Sequence, residues 1–433
     1  MNTCYAVRAI ADILIEKLGS AGDGIGRHNG RPVYVANTLP DEKVRTDDDL
    51  PNPQLIEIVL ASPQRRTPPC PHFGRCGGCT FQHASDQLML DWKRDEVALA
   101  FTQAGITTHV DATMASPHAA RRRVSFTASR GQNVGEHDAA AISLGYKERC
   151  SDALVNIDSC AILLPALASE IANIRDLCRT LLRGNEEIQI AINLCDNGFD
   201  LAFELPQVPN ETITAGFVRA IAKTPYLRAS INGDVVIEKE KPLVKFGKAQ
   251  VALPPGGFLQ AVRTAEDQMA NLVTKHLGGR KRVIDLFSGS GTFSLRLAER
   301  SRVHAVEMDG PALAALRSAS SAEGLKSVTI EERDLHALPL TSSELKPFDG
   351  VCLDPPRAGA EDQCRAIASA NIKSLAYVSC NPTTLARDAA HLIEGGYTLD
   401  KVVPIDQFVF SPHIEVVALF SKKPSKSARS IFR

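Results

Sequence analysis

The stretch Val283-Ile-Asp-Leu-Phe-Ser-Gly-Ser-Gly291 decides the fold of the carboxyl-terminal part of this chain. A β-prone run ends in a turn with two glycines, and the segment from Thr292 to Arg300 predicts a helix directly after it. Gly289 and Gly291 let the backbone turn tightly and approach a ligand, while the helix amino terminus offers free amide donors. Ser294 stands where a dinucleotide fingerprint has its third glycine, so the turn alone is a weak signal.

The strand-to-helix pattern repeats after this turn. Further β-prone runs begin at Arg302, Gly350 and Ser374. Strands that alternate with helices predict a doubly wound sheet, and such sheets bind their ligands at the carboxyl ends of the strands. We therefore expect an α/β domain from about Ala265 onward, with its functional site at those strand ends.

Acidic residues stand where this sheet would hold a nucleoside. Glu307 ends the second strand about 20 residues after Asp285, the separation at which a carboxylate accepts hydrogen bonds from ribose hydroxyls. Asp334 follows the next β-prone run and could accept from an adenine amino group. These acids could instead be ordinary strand-end residues in solvent. Together they favour an adenosine-bearing cofactor without a pyrophosphate, of which S-adenosylmethionine is the common example.

A thiol and two carboxylates at later strands indicate the chemistry. Asp354 precedes two prolines at the end of one strand, and Cys380 lies at the mouth of the same sheet. Glu415 lies in a β-prone run, where burial of a carboxylate costs free energy. Each has a structural alternative, because a strand-end cysteine is more often a packed small hydrophobe and a strand glutamate can face solvent.

Cys380, Glu415 and a methyl donor are together a complete set of parts for methylating carbon 5 of a pyrimidine. That carbon is not nucleophilic enough to attack a methyl group unaided. A thiolate that adds to carbon 6 makes an enolate and raises the electron density at carbon 5. After methyl transfer, a base must remove the hydrogen from carbon 5 so that the thiol is expelled. We expect Cys380 to be the nucleophile and Glu415 the base.

Three cysteines near residue 70 have the spacing of a metal site. Five residues separate Cys70 from Cys76, and two glycines separate Cys76 from Cys79. The glycines allow the chain to wrap a large inorganic centre. A fourth ligand must come from elsewhere in the chain, and Cys160 is our choice over Cys150. Four thiolates also suit structural zinc, so the spacing leaves zinc as an alternative to an iron-sulfur cluster.

The composition sets limits on the class of protein. The chain has 433 residues, 44% of them hydrophobic and 23% charged, which predicts two or three globular domains. A net charge of −1 argues against a wholly basic nucleic-acid coat, so a polyanion would have to meet a local patch. No apolar run approaches the ~18 residues of a membrane span, and the eleven cysteines suit a reducing compartment. We expect a monomer in the cytoplasm without a membrane partner.

The first half of the chain has a different pattern. Short β-prone runs with turn signals from about Ile15 to Val59 predict a small barrel. The segment from Asp86 to Gly105 predicts an amphipathic helix, and the region from Val110 to about Lys245 is mostly strand-like. The last residues, from Lys422 to Arg433, are basic, which suits a solvated tail as well as an RNA contact.

These motifs together resemble those of the RNA uracil-5-methyltransferases, in particular the iron-sulfur members that act on bacterial 23S ribosomal RNA. The resemblance rests on five motifs in the same order: the cysteine cluster, the glycine turn, Leu353-Asp-Pro-Pro-Arg, Ser379-Cys-Asn-Pro and His413-Ile-Glu415. It implies a multidomain α/β plus β fold: a TRAM barrel of OB type over residues 1–65, a central 4Fe-4S domain over 66–255 and a class I methyltransferase domain over 256–433. It also allows the helix at 86–105 to pack on the catalytic domain.

The resemblance also implies roles for individual residues. The cofactor contacts of the family fall on Gln260, Phe287, Glu307 and Asp354, the nucleophile on Cys380 and the base on Glu415. The implied cofactors are S-adenosylmethionine and a 4Fe-4S cluster, and the implied partner is RNA. The target base must leave its stack, so a loop or single-stranded uridine in 23S ribosomal RNA is expected.

Several alternatives remain at this point. The run at residues 121–123, three consecutive arginines, could contact RNA or lie in a solvated loop. The same chemistry could act on a transfer RNA uridine. Methylation of an amino group is an enzymatic rival, because Asp-Pro-Pro sequences also occur in such enzymes, and it needs no covalent thiol. A non-catalytic RNA-binding assembly factor is a rival from another class.

Overall fold

A computed structural model describes residues 11–47, 51–131, 142–184 and 186–422 of the chain. Most of the basic tail considered above, residues 423–433, lies outside the described residues. The described strands form three large sheets and a separate hairpin. None of the described helices is both long enough and apolar enough to cross a membrane.

The amino-terminal unit is a five-stranded antiparallel sheet in the order β3-β2-β1-β4-β5. Its strands are β1 (Ala11–Leu18), β2 (Gly24–His28), β3 (Arg31–Val35), β4 (Lys43–Thr46) and β5 (Leu55–Leu60). Alternate side chains of β1 point inward and share one core with apolar side chains of β3 and β4. Strands on either side of β1 contribute to this one core. The sheet therefore curves around it, as in a small barrel.

The central unit is a seven-stranded sheet with helices packed on it, in the order β12-β11-β10-β9-β6-β7-β8. After the interdomain helix α1 (Asp86–Gln103) come β6 (Arg123–Arg130), β7 (Ile142–Lys147), β8 (Leu154–Asn156), α2 (Pro165–Ala168), α3 (Ile171–Leu181), β9 (Glu187–Leu194), β10 (Phe199–Glu204), α4 (Glu211–Ala222), β11 (Arg228–Ile231) and β12 (Asp234–Glu238). The pairs are antiparallel except for β10 with β11. The expectation of a mostly β middle region agrees with this sheet.

The carboxyl-terminal unit is a doubly wound sheet in the order β17-β16-β15-β18-β19-β21-β20. It follows the hairpin β13 (Leu243–Phe246) and β14 (Ala249–Ala252). Its elements are α5 (Arg263–Leu277), β15 (Arg282–Leu286), α6 (Ser294–Ala298), β16 (Arg302–Glu307), α7 (Gly310–Ala319), β17 (Val328–Glu332), α8 (Ser342–Leu345), β18 (Gly350–Leu353), α9 (Glu361–Ser369), β19 (Ser374–Ser379), α10 (Pro382–Glu394), β20 (Thr398–Ile405) and β21 (Glu415–Ser421).

Within this sheet, β21 runs antiparallel to both of its neighbours, whereas β15 to β19 are parallel. Strands β18 and β19 are buried along their whole length, because helices cover both faces of the sheet. The reversed strand therefore brings its amino-terminal end to the edge where the parallel strands have their carboxyl ends.

The hairpin β13–β14 belongs with the catalytic sheet. Val244, Phe246 and Val251 share a core with Leu313 and Leu316 of α7. The sequence-based division placed residues up to 255 in the central domain, and the structure differs there. The sequence of a two-stranded hairpin does not indicate which sheet it packs on. Only the tertiary packing therefore shows that this hairpin belongs to the catalytic domain.

Helix α1 links the central and the catalytic units. Ser85 caps its amino terminus by accepting from the amide of Leu88 at 3.2 Å. Met89 and Trp92 near its start are buried in the central core, while Val97 and Phe101 near its end are buried with side chains of α10 and β20. A segment from the first quarter of the chain is thus part of the catalytic core.

We expect Phe101→Ala to lower the free energy of unfolding by about 3–5 kcal/mol, because it leaves a cavity in a fully buried site. Denaturant unfolding followed by tryptophan fluorescence or circular dichroism would measure it. Leu99→Ala on the same helix is the matched control: Leu99 is about half exposed, and a change within about 0.5 kcal/mol is expected. Equal effects of the two substitutions would contradict the packing of α1.

Candidate functional site

A cavity of about 460 Å³ lies at the carboxyl ends of the parallel strands. All eight residues that the sequence analysis singled out for catalysis and cofactor binding line it: Gln260, Phe287, Gly289, Glu307, Asp334, Asp354, Cys380 and Glu415. The strand order explains this convergence, because each of β15, β16, β17, β18 and β19 ends at this edge and contributes the residues that follow it.

The turn after β15 is shaped for close approach of a ligand. Phe287 adopts a positive φ of 62°, which is rare for a large side chain and typical of strained functional sites. Gly289 also has a positive φ, and a Cβ placed there would meet no atom within 4 Å, so its open side faces the cavity. A Cβ on Gly291 would lie 2.5 Å from Leu316, so this second glycine is required for packing.

Backbone amides hold the carboxylate of Glu307 in place. Its Oε2 accepts from the amide of Gly289 at 2.9 Å, and its Oε1 accepts from the amides of Met308 and Asp309 at 2.8 and 3.0 Å. Asp334 is bound in a similar way, since its Oδ1 accepts from the amides of His336 and Ala337. Both carboxylates are therefore oriented by backbone amides before any ligand binds.

Register places Cys380 next to Glu415. Ser379 of β19 pairs with Val416 of β21, so the next residues along, Cys380 and Glu415, stand opposite each other at the edge of the sheet. Asn381 caps α10 by accepting from the amide of Thr383, and its Nδ2 donates to the carbonyl of Arg357 at 3.1 Å. These bonds hold the loop that carries the thiol.

Glu415 is nearly fully buried and belongs to a hydrogen-bonded chain. The Nε2 of Gln407 donates to Glu415 Oε1 at 3.2 Å and to Gln260 Oε1 at 2.8 Å. Burial raises the pKa of Glu415 to about 7, while the bond from Gln407 and the charge of Lys93 act in the opposite direction. A carboxyl group with such a pKa can take up a proton near neutral pH.

Burial and acidic neighbours raise the pKa values of Cys380 and Asp354 at this edge. Burial raises the pKa of Cys380, and the charges of Glu415 and Asp354 raise it further. Burial raises the pKa of Asp354 strongly, with the charge of Glu415 as the next cause. The amino terminus of α10 lies directly after Cys380, and its partial positive charge opposes these effects because it stabilises the thiolate.

A second, wider opening of about 830 Å³ meets the cavity at Cys380. It is a groove between the barrel, α1 and the loops after β18, β19 and β20, and it is lined by Lys17, Trp92, Arg357 and His413 among others. Among the described residues, Cys380 is the one that lines both the cavity and the groove. The thiol is thus accessible from two sides.

A third opening, of about 360 Å³, adjoins both spaces and is basic. Arg121, Arg149 and His413 line it, and the carboxylate next to it is that of Asp23, which pairs with Arg149 at 2.6 Å. It shares His413 with the groove and Phe408 with the cavity. By contrast, Asp91, Asp95 and Glu96 of α1 line the far side of the groove. A polyanion would therefore be attracted to the basic opening and repelled by α1.

The three consecutive arginines have three different environments. Arg121 lines the basic opening, with its guanidinium 5.7 Å from the ring centre of Phe408. Arg122 is buried, donates to Glu266 at 2.5 Å and to the carbonyl of Gln260, and so ties β6 to the catalytic domain. Arg123 stacks on Phe258 at the cavity. Arg122 is therefore unavailable for the RNA contact considered in the sequence analysis.

Four cysteines surround one narrow pocket in the central unit: Cys70, Cys76, Cys79 and Cys160. A Cβ on Gly77 would lie 2.8 Å from the carbonyl of Lys147, so the loop can approach β7 only with glycine there. The alternative ligand, Cys150, is exposed and does not line this pocket. The described residues contain no group of three or more His, Cys, Asp or Glu side chains arranged to hold a metal ion.

The sequence analysis missed three residues of the site. Gln407 donates to Glu415, the charge of Lys93 lowers the pKa of Glu415, and Phe258 lines the cavity. Phe258 lies two residues before Gln260, which was a usable signal. Gln407 and Lys93 had no recognisable motif. Lys93 comes from a distant segment, and Gln407 reaches Glu415 through the fold of the loop between β20 and β21.

The comparisons with known proteins agree with this architecture. Residues 244–423 match the family model tRNA (Uracil-5-)-methyltransferase, and residues 6–45 match the TRAM domain. An uncharacterized RNA methyltransferase of Rhizobium meliloti is 43% identical over 417 residues, which cover 95% of this chain and 99% of the relative. The 23S rRNA (uracil(1939)-C(5))-methyltransferase of Chromohalobacter salexigens is 30% identical, with 96% of this chain and 90% of that relative covered.

A solved structure shows the same fold. The tRNA (uracil-54, C5)-methyltransferase of Pyrococcus abyssi, in complex with S-adenosyl-L-homocysteine, superposes with a TM-score of 0.70 at 21% identity. The match covers 95% of this chain and all of that one. The resemblance inferred from the motifs and the expected combination of a TRAM unit with a class I methyltransferase domain are confirmed. The chain belongs to the RNA uracil-5-methyltransferase family.

Proposed function

We propose that this protein uses S-adenosylmethionine to methylate carbon 5 of a specific uridine in 23S ribosomal RNA. The observation that carries the proposal is the position of Cys380, which faces both the cavity at the strand ends and the open groove, next to Glu415. A nucleophile at the junction of two spaces can meet a uracil that enters from one side, while a methyl donor is held on the other side.

In the proposed reaction, the thiolate of Cys380 adds to carbon 6 of the uracil and forms a carbon–sulfur bond. Electron density moves to carbon 5, which takes the methyl group that the cofactor supplies. Glu415 then removes the hydrogen from carbon 5, and the electron pair of that bond restores the ring double bond as the carbon–sulfur bond breaks. The sulfur leaves as thiolate, and Glu415 holds the proton.

The cofactor would lie along the turn after β15. We assign contacts to Gln260, Phe287, Gly289, Glu307, Asp334 and Asp354, which line the cavity. The oriented carboxylate of Glu307 suits ribose hydroxyls, and the open side of Gly289 leaves room for the ligand. The pKa of Asp354, raised by burial, suits a group that becomes charged only when a cationic ligand arrives.

RNA would reach Cys380 through the groove, with its backbone on the basic opening. A uridine that leaves its stack places the uracil near the thiol, while Arg121 meets a phosphate in the basic opening. The relative from Chromohalobacter salexigens supports 23S ribosomal RNA as the target. The fold shared with the Pyrococcus abyssi enzyme keeps a transfer RNA uridine as the second candidate.

We further propose that Cys70, Cys76, Cys79 and Cys160 hold a 4Fe-4S cluster. Four thiols around one narrow pocket fit such a group, because the burial and the neighbouring cysteines that raise the pKa of Cys79 to about 12 would be offset by bound iron. Structural zinc bound by the four thiolates is the alternative occupant of the same pocket. The cluster would stabilise the central unit.

We expect Cys380→Ala to abolish methylation of RNA. RNA that contains 5-fluorouracil should trap the unsubstituted protein as a covalent adduct, because fluorine at carbon 5 cannot be removed as a proton, and the Ala variant should form none. Transfer of a labelled methyl group and denaturing gels measure the two effects. Cys150 is an exposed cysteine outside the cavity, so Cys150→Ala is the control. It should retain both methylation and formation of the adduct. Methylation by the Ala variant would exclude the thiol mechanism and favour methylation of an amino group.

For the target, RNA from cells that lack this protein should have lost one 5-methyluridine in 23S ribosomal RNA and none in transfer RNA. Mass spectrometry of nuclease fragments locates the change, and a plasmid copy of the wild-type chain should restore the nucleotide where the Cys380→Ala chain does not. Loss of a transfer RNA methyl group instead would move the target to the second candidate. Unchanged RNA would favour the non-catalytic assembly factor.

For the cluster, anaerobically purified protein should be brown and contain about four iron atoms per chain, as one 4Fe-4S group requires. Cys160→Ser should lower the iron content and the visible absorption, and it should lower the thermal midpoint. Cys150→Ser is the matched control and should change none of these. Colourless protein with about one zinc per chain would show that the pocket holds zinc.

A further inference from the structure

Lys93 is a charged side chain in the protein interior that the sequence motifs do not explain. It comes from α1 and has no exposed side-chain surface. Its Nζ donates to Asp406 Oδ1 at 2.6 Å, to the carbonyl of Phe408 at 3.0 Å and to the carbonyl of His413 at 2.9 Å. All three ammonium protons are therefore used, which is the condition for burying a lysine charge.

All three acceptors lie on one loop, residues 406–414, which joins β20 to β21. The loop begins directly after Ile405 and ends directly before Glu415, so Lys93 binds near both of its ends. We call it the base loop. One further segment holds its centre: the amides of Thr80 and Phe81 donate to the carbonyl of Phe410 at 2.6 and 3.0 Å. Phe410 has a positive φ of 63°, a strained conformation that needs such external support.

The base loop carries the groups that surround the reaction. Gln407 on this loop donates to Glu415, and Phe408 lines both the cavity and the basic opening. His413 lines the groove. A displacement of the loop would therefore move the hydrogen-bond donor of Glu415 together with the walls around it.

The charge of Lys93 also supports the role of Glu415 as a base. The ammonium of Lys93 lowers the pKa of Glu415, which burial raises to about 7. Other charged or titratable groups near Glu415 are Asp354 and Cys380, which face it across the strand ends, and Asp406, which pairs with Lys93. Lys93 is the cation among these described groups. Its charge favours the ionised form of Glu415, which is the form that can remove the proton.

We propose that Lys93 is a positioning residue for the last step of the reaction: it fixes the base loop and thereby the carboxylate of Glu415. This inference rests on the proposed function and adds a residue from α1, outside the catalytic sheet, to it. Lys93 touches neither substrate nor cofactor in this arrangement. Its effect passes through the base loop to Glu415.

The proposal predicts a defect in one step. Addition of Cys380 and transfer of the methyl group precede the removal of the proton, and they do not need Glu415 as a base. Loss of Lys93 should therefore leave these early steps intact and slow the release of the methylated base. Covalent protein–RNA complex should accumulate on ordinary uridine RNA, which a general loss of folding would not produce.

The test compares Lys93→Met with wild-type protein and with Lys275→Met, an exposed lysine of α5, as the matched control. We expect kcat of Lys93→Met to fall about 100-fold, within the range for a general base, with little change in KM for RNA. Rapid quenching should show methylated RNA bound covalently to the variant. Its adduct with 5-fluorouracil RNA should form at a rate near that of wild type.

Asp406→Asn is the second variant, since it removes the ion pair but keeps the two carbonyl acceptors of Lys93 and an oxygen at residue 406. We expect a milder fall in kcat with the same covalent accumulation. Near wild-type kcat in both variants would overturn the proposal, and so would parallel loss of the fluorouracil adduct and of turnover in variants that still bind S-adenosylmethionine. Failure of wild-type protein to form any adduct would instead reject the proposed function.

Discussion

The site depends on the antiparallel position of β21 between β19 and β20. In an all-parallel sheet, the first residue of a strand lies at the edge opposite the ligand site. Because β21 is reversed, its first residue, Glu415, lies at the same edge as Cys380, and the pairing of Ser379 with Val416 sets the two side by side. A shift of one residue in this register would turn Glu415 to the other face of the sheet.

Burial at this edge gives the groups their chemical character. Burial raises the pKa values of Asp354, Cys380 and Glu415, and the charge of Glu415 raises those of Asp354 and Cys380 further. Such an arrangement costs folding free energy, and the structure offsets part of it with the amide bonds to Glu307, the bond from Gln407 and the charge of Lys93. The site is thus supported by segments well outside the catalytic sheet.

This support makes the amino-terminal half of the chain part of the catalytic unit. Helix α1 contributes Lys93 and a share of the catalytic core, and Arg122 at the start of the central sheet forms a buried ion pair with Glu266 of α5. The amides that follow Cys79 bind the base loop at Phe410. The segment directly after Cys79 is therefore hydrogen-bonded to the loop beside Glu415.

The sequence by itself determined the family, the order of the units and the eight residues that line the cavity, because local motifs at strand ends persist wherever the chain folds into this sheet. It also indicated four cysteines that the structure brings to one pocket. The tertiary structure alone decided that the hairpin at 243–252 packs on the catalytic sheet, that Arg122 is buried while Arg121 faces a basic opening, and that Lys93 and Gln407 act near Glu415. Lys93 and Arg122 meet partners more than a hundred residues away, and Gln407 reaches Glu415 through the fold of one loop. The hairpin has apolar residues that could pack on either neighbouring sheet. None of these features leaves a periodic or local pattern in the chain.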